Sequence, residues 1–208
     1  MSRMFVAARG DSWKTPSTLQ IAGFIDDDVI LHGRMVFGYP VLGGFADLEG
    51  ICLEQGITGV FVGLGDRAMA RRKTYYQVLQ TRNLVVRPAI HPKAAVEHNL
   101  TIGRGSLISI GVSVNIDTRI GENVFVATGG HISHDCVVEN HCYLGPGVTL
   151  CGYACIGDNS FVGAGATVLP RVKVGHRCII GAGSLVNRNI PDGKVAYGIP
   201  ARIIRDND

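Results

Sequence analysis

Few residue types do acid–base, nucleophilic or metal chemistry, and here they fall in a few places. Four histidines, His131, His134, His141 and His176, lie in the second half of the chain. Imidazole, with a pKa near ~6.5, exchanges a proton close to neutrality and also ligates zinc. Three successive acids, Asp26, Asp27 and Asp28, follow the apolar run Gly23-Phe24-Ile25, placing carboxylates at a strand end. That is where α/β sheets bind ligands. Gly63-Leu64-Gly65-Asp66 closes another apolar run and opens a helix, a place for backbone N–H groups to meet phosphate. Six cysteines, at 52, 136, 142, 151, 155 and 178, include no CxxC pair, which weakens a structural zinc reading.

The elements that must position these groups follow from a period. Every sixth residue from Ile90 to Val186 is Ile, Leu or Val, seventeen positions without exception. The residue two before each aliphatic is mostly small or apolar, as at Ala94, Ser106, Val124, Cys136, Ala154 and Ser184. Glycine often follows the aliphatic, as at Gly103, Gly145, Gly157 and Gly163. A helix cannot produce a strict period of six. A hexad makes one short strand and one turn, with the aliphatic pointing into a narrow triangular core and glycine easing the turn. Three hexads make one coil of eighteen residues. Seventeen hexads make between five and six coils, about 27 Å of prism at ~4.8 Å per coil. Cys136, Cys142 and Cys178 fall in the small inward column, where a free thiol packs as a small hydrophobe.

Residues 1–88 read differently. Met4–Ala8, Gln20–Phe24, Gly59–Leu64 and Leu84–Val86 read as strands, and Phe45–Gln55 and Asp66–Gln80 as helices. The alternation predicts a small Rossmann-like α/β domain over 1–88 with a parallel sheet, followed by a left-handed parallel β-helix over 89–208. Between the first two strands, Gly10 and Pro16 break any helix.

Glycine at 28 of 208 residues and only 7% aromatics fit a turn-rich fold better than a helical bundle. A net charge of +3 is too small to argue for nucleic-acid binding. No apolar run approaches the ~20 residues of a membrane span, and the opening residues carry no secretory signal, so a cytoplasmic protein with free thiols is expected.

Taken together, the chain resembles the bacterial acyltransferases that N-acetylate nucleotide-linked amino sugars, with the sialic acid O-acetyltransferases as close relatives. The resemblance runs through GFIDDD and GYPVLGG, GVFVGLGD, HPKA, HISHDCVVENHCYLGPGVTLCG and the closing GIPARII. The stretch AARGDS departs from the family's glycine-rich turn and helix after the first strand. The resemblance implies that acetyl-CoA donates the acyl group and that the α/β module holds the nucleotide sugar. Asp26 and Asp27 then meet its base, and Gly65 stands at the phosphate-binding strand end. It makes His134 the general base, Asp135 its acidic neighbour and Gly152 the N–H that contacts the thioester oxygen. Tyr143, Ala164 and Ala182 map onto cofactor contacts. The period adds an independent check, because Gly152 lies eighteen residues after His134 and so one coil above it.

Seven Lys or Arg and one acid between Arg171 and Arg205 provide a basic end that can attract phosphates. The family's sites lie between neighbouring prisms, so a homotrimer is expected. O-acetylation of sialic acid or another sugar stays open, since a base beside a thioester serves either acceptor. A γ-type carbonic anhydrase with three histidines on zinc, and a sugar-binding protein without chemistry, are the alternatives of other classes.

Overall fold

The computed structural model describes residues 5–9, 20–64, 69–84 and 88–207, the first segment and Gln20 by backbone alone. The chain divides into two compact units, Met1–Arg87 and Pro88–Asp208.

The first unit holds strands β1 (Phe5–Arg9), β2 (Gln20–Ile25), β3 (Met35–Val36), β4 (Tyr39–Gly43) and β5 (Gly59–Val62), with helices α1 (Leu48–Gln55) and α2 (Met69–Thr81). Their order in the sheet is β3-β4-β2-β1-β5. The expected parallel sheet is a mixed one. β1 runs antiparallel to both β2 and β5, and β2 runs parallel to β4. A parallel return needs a crossover of about a dozen residues or more, usually a helix. The stretch between Arg9 and Gln20 carries Gly10 and Pro16, both poor in a helix interior. β3 and β4 form a tight hairpin whose two turn residues, Phe37 and Gly38, both have positive φ, 48° and 83°. That pair of angles matches the twist of two-residue hairpins.

The helix expected from Phe45 starts as a 3-10 turn over Phe45–Asp47 before α1, which ends on Gly56 in the left-handed conformation at φ 62°. Ile25, Leu48, Val60, Val62, Tyr76 and Leu79 form the core between sheet and helices. Met4, Gly65, Asp66 and Val85-Val86 lie outside the described residues.

The second unit is the β-helix. Seventeen two-residue strands, β6 (Ala89–Ile90) through β22 (Leu185–Val186), recur every six residues. They stack in parallel as three faces. Face 1 begins at Ala89–Ile90, face 2 at Ala95–Val96 and face 3 at Thr101–Ile102. The registers are eighteen residues apart without a shift, as in Tyr143 to Phe161 and Thr149 to Thr167. Strands β23 (Lys194–Gly198) and β24 (Ala201–Asp206) close face 1 as an antiparallel hairpin. Among the described residues, no helix is long and apolar enough to cross a membrane.

Inside, the aliphatic column from Ile108 to Val186 is essentially fully buried. Each fully buried aliphatic side chain contributes about 1.5–3 kcal/mol. The second inward column is polar at several levels, and its donors are satisfied in one repeating way. Ser106, Thr118 and Ser160 give their hydroxyls to the carbonyls of Gly121, Ser133 and Gly175, at 2.7, 2.8 and 2.8 Å. Cys136 and Cys142 point their thiols at the carbonyls of Cys151 and Gly157, at 3.2 and 3.1 Å. Burial pushes the Cys136 thiol up to about 11 and raises Cys178.

The turns divide two tasks. From Asn99 to Gly183 the third residue after each inward aliphatic is left-handed, Asp117, Asp135, Tyr153 and Gly165 among them. The glycine directly after the aliphatic is needed for proximity instead. A Cβ on Gly163 would lie 2.5 Å from the backbone nitrogen of Ala182 in the next coil.

Gly163→Ala is therefore expected to cost about 1–3 kcal/mol by overpacking. Gly165→Asn, at a left-handed position with open space, should be tolerated; urea unfolding compares them. The Cys136 thiol adds an alkaline limb. Its folded value of about 11 exceeds the unfolded 9.0, so its contribution is complete below pH 9 and lost as pH rises toward 11. Cys136→Ser keeps a donor for the Cys151 carbonyl and should flatten that limb in pH-dependent melting curves.

Candidate active site

Stacking of coils turns each corner of the prism into a column. The corner between faces 2 and 3 carries Ile116, His134, Gly152 and Pro170 at one level of the turn, and Asp117, Asp135, Tyr153 and Arg171 at the next. Except at Pro170, the first set carries a backbone N–H that no coil-to-coil backbone bond uses among the described residues. At some equivalent positions a side chain from the preceding coil accepts such an amide: Ile116 N–H gives to Glu97 Oε2 at 2.9 Å, and Asp158 N–H to Glu139 Oε2 at 3.0 Å. Gly152 N–H has no acceptor among the described residues.

What lies beside it is the imidazole of His134. A Cβ on Gly152 would sit 2.8 Å from both Cε1 and Nε2 of that ring, so only glycine leaves the ring its place. His134 Nδ1 is 2.9 Å from Asp135 Oδ2. The left-handed backbone of Asp135, φ 58°, turns its carboxylate back toward its neighbour. An ionised carboxylate only accepts, so Nδ1 carries a hydrogen, and in the neutral ring the lone pair is then on Nε2. Nε2 has no hydrogen-bond partner among the described residues. The His134 side chain is half exposed. The corner thus offers a proton acceptor, a carboxylate orienting it, and a free backbone donor on the same surface. Those are the parts that acyl transfer requires. An open cleft of about 600 Å³ adjoins the corner, lined by Asp117, Arg119, Asp135 and Tyr153 among others.

The other histidines are dispersed. His131 lies on face 2, its Nδ1 2.6 Å from Ser113 Oγ. His141 and His176 occupy the corner between faces 3 and 1. There Nδ1 of His141 is 2.9 Å from Asn123 Nδ2, and Nδ1 of His176 lies 3.2 Å from Glu139 Oε2. Among the described residues, no three His, Cys, Asp or Glu converge as a metal-binding group.

Tyr143 stands on face 1, stacked between Phe125 and Phe161 with ring centroids 5.2 Å apart on either side. Both of its ring faces are thereby occupied. Ala164 and Ala182 sit on the corner between faces 1 and 2. Within one chain, then, the His134–Gly152 pair and the Ala164–Ala182 pair belong to different edges of the prism.

In the first unit, β2, β4 and β5 share one direction, so their C-terminal ends meet at one edge. The Asp26 side chain is buried and accepts Asp28 N–H at 2.9 Å, while its carbonyl is 2.7 Å from His32 Nε2. Asp27 spans the loop, taking Phe45 N–H on one oxygen and Tyr75 hydroxyl on the other, both at 2.9 Å. The Phe45 and Tyr75 rings meet edge to face with centroids 4.5 Å apart. Gly65 is outside the described residues.

Comparison with known proteins now bears on this geometry. The family described as Bacterial transferase hexapeptide (six repeats) matches residues 117–152 and 156–188. Among solved structures, the chain is similar to GDP-perosamine N-acetyl transferase from Caulobacter crescentus in complex with CoA and GDP-perosamine. The two are 34% identical with a TM-score of 0.81, over 88% of this chain and 85% of that one. The chain belongs to the nucleotide-sugar N-acetyltransferase family. A second similar family member is the acetyltransferase domain of PglB from Neisseria gonorrhoeae, in complex with acetyl coenzyme A. It is 28% identical with a TM-score of 0.80, over 86% of this chain and 85% of that one. WeeI from Acinetobacter baumannii, 24% identical over 88% of this chain and 85% of that one, shares the fold with a TM-score of 0.73. No curated protein matches the chain.

At this corner Tyr153 escaped the sequence reading, and Arg171 entered it only as part of the basic end. Tyr153 meets the His134 ring at 5.4 Å with an interplanar angle of 90°, and Arg171 lies 4.3 Å over the Tyr153 ring. The signal was available, since Asp135, Tyr153 and Arg171 are eighteen apart. His32 and Tyr75 at the acidic strand end had no such signal.

Asp27→Ala removes the acceptor of a backbone amide and a hydroxyl together. It should destabilise the first unit by about 1–3 kcal/mol, read by denaturant unfolding.

Proposed function

We propose that the protein transfers the acetyl group of acetyl-CoA to the amino group of a nucleotide-linked amino sugar, with His134 as general base. The observation that carries this reading is the Gly152 amide, free and open, beside an imidazole whose Nδ1 is held by Asp135. When bound, acetyl-CoA supplies an activated acyl carbon and a thiol leaving group. His134 Nε2 takes a proton from the attacking amine as the C–N bond forms. It gives that proton to the sulfur as the C–S bond breaks. Asp135 keeps the lone pair on Nε2 and steadies the cation formed. Gly152 N–H donates to the carbonyl oxygen, where negative charge gathers. The similar Caulobacter enzyme bound to CoA and GDP-perosamine supports an amine acceptor over a hydroxyl.

The strand ends of the first unit, with Asp26 and Asp27 and then Gly65, receive the nucleotide in this reading. They are the carboxyl ends of strands sharing one direction, the usual ligand edge of such sheets. The assembly is a homotrimer with sites between protomers. A donor that reaches Gly152 and also Ala164 and Ala182 must lie between two prisms, because one prism presents these residues on different edges. Tyr143, on face 1, is in this reading a further contact of that donor.

His134→Ala should lower kcat by about 10²–10⁴ with an unchanged melting temperature, measured as free CoA thiol released with a panel of nucleotide-linked amino sugars. Turnover equal to the wild type overturns the assignment. Gly152→Ala, which must displace the ring, should lose activity while keeping the fold.

A further inference from the structure

Tyr153 has a backbone conformation that bulky side chains rarely adopt. It is left-handed at φ 63° and 42% exposed. At the equivalent turn positions most residues are glycine or asparagine, Asn99, Asn123 and Gly147 among them, for which this conformation is cheap. A tyrosine there costs of order ~1 kcal/mol or more, and what holds it is local. The Arg171 guanidinium covers one side of the ring at 4.3 Å, and the His134 ring meets it edge to face at 5.4 Å. The Tyr153 amide also gives its hydrogen to the His134 carbonyl at 3.1 Å.

The imidazole needs such a wall. It is half exposed, and Asp135 restrains it at Nδ1 alone. Gly152 cannot confine it, since its contribution is an absent side chain. Misplacing a reacting group by about 1 Å can cost 10²-fold in rate. We propose that Tyr153, held by Arg171, is a positioning residue that confines the His134 imidazole so that Nε2 stays over the Gly152 amide. It acts through His134 and forms no bond to substrate. This rests on His134 being the general base.

Tyr153→Asn removes the ring and relieves the turn, so its melting temperature should equal or exceed that of the wild type. Its kcat should fall about tenfold, with KM for acetyl-CoA within twofold. Tyr153→Phe should recover most of the rate, because contacts to a ring edge and to a guanidinium do not need the hydroxyl. A Tyr153→Asn enzyme as fast as the wild type overturns the proposal. So does a loss confined to KM, or a Phe variant as slow as the Asn variant. If the Asn variant melts lower, Tyr153→Gly makes the same comparison in a turn that accepts glycine. His134→Ala run in parallel separates the two levels. If it is inactive while Tyr153→Asn is normal, only the positioning role fails. If it is active, the base assignment fails and takes the positioning role with it.

Discussion

Each coil of the second unit sits directly on the one before it, at strand spacing and eighteen residues along, and that contact governs everything else in the unit. No two-residue strand is stable alone, so each depends on its neighbours above and below. Two demands follow. The interior must be filled at every level by one aliphatic and one small residue, and the backbone must approach closely at the turns. Gly163, whose Cβ would strike the next coil, answers the second demand. The first admits polar residues only if they find a partner. Ser106, Thr118, Cys136, Cys142 and Ser160 do so alike, each reaching a carbonyl fifteen residues on. A repeated backbone geometry offers a repeated acceptor, which lets a dry core carry hydroxyls and thiols without leaving them unsatisfied.

The same stacking builds the site. Because corner residues of successive coils are superposed, a histidine in one coil and a glycine in the next become neighbours without any loop being folded over. The amide at this level of the turn recurs along the prism, met by Glu97 at Ile116 and by Glu139 at Asp158, and left open at Gly152 beside the imidazole. A reactive corner therefore differs from an inert one by few substitutions: an acceptor side chain removed, an imidazole added, and a left-handed aspartate to hold it. Tyr153 and Arg171 continue the column beyond Asp135, so one turn position supplies the carboxylate, the aromatic wall and its cationic cover.

The first unit obeys a different logic. Its sheet is mixed, and its ligand edge is made where β2, β4 and β5 end together. Asp27 ties that edge to both helical elements, through the Phe45 amide at the start of one and the Tyr75 hydroxyl on the other. A carboxylate so engaged keeps further lone pairs for a ligand, while its first duty is to shape the loop.

The strict period of six was legible in the chain itself, and with it the β-helix, the inward thiols and the superposition of His134 and Gly152. Such a repeat translates directly into space, since a residue and its equivalent eighteen positions on must stack. The direction of β1 was not legible, because strand–helix alternation leaves open whether a short connection crosses over or turns back. Nor were the partners of Asp26 and Asp27, which come from residues as far away in sequence as Tyr75. Which nitrogen of His134 faces Asp135, and what stands against its ring, are matters of side-chain torsion. Those torsions are settled only when packed neighbours from three successive coils close around them.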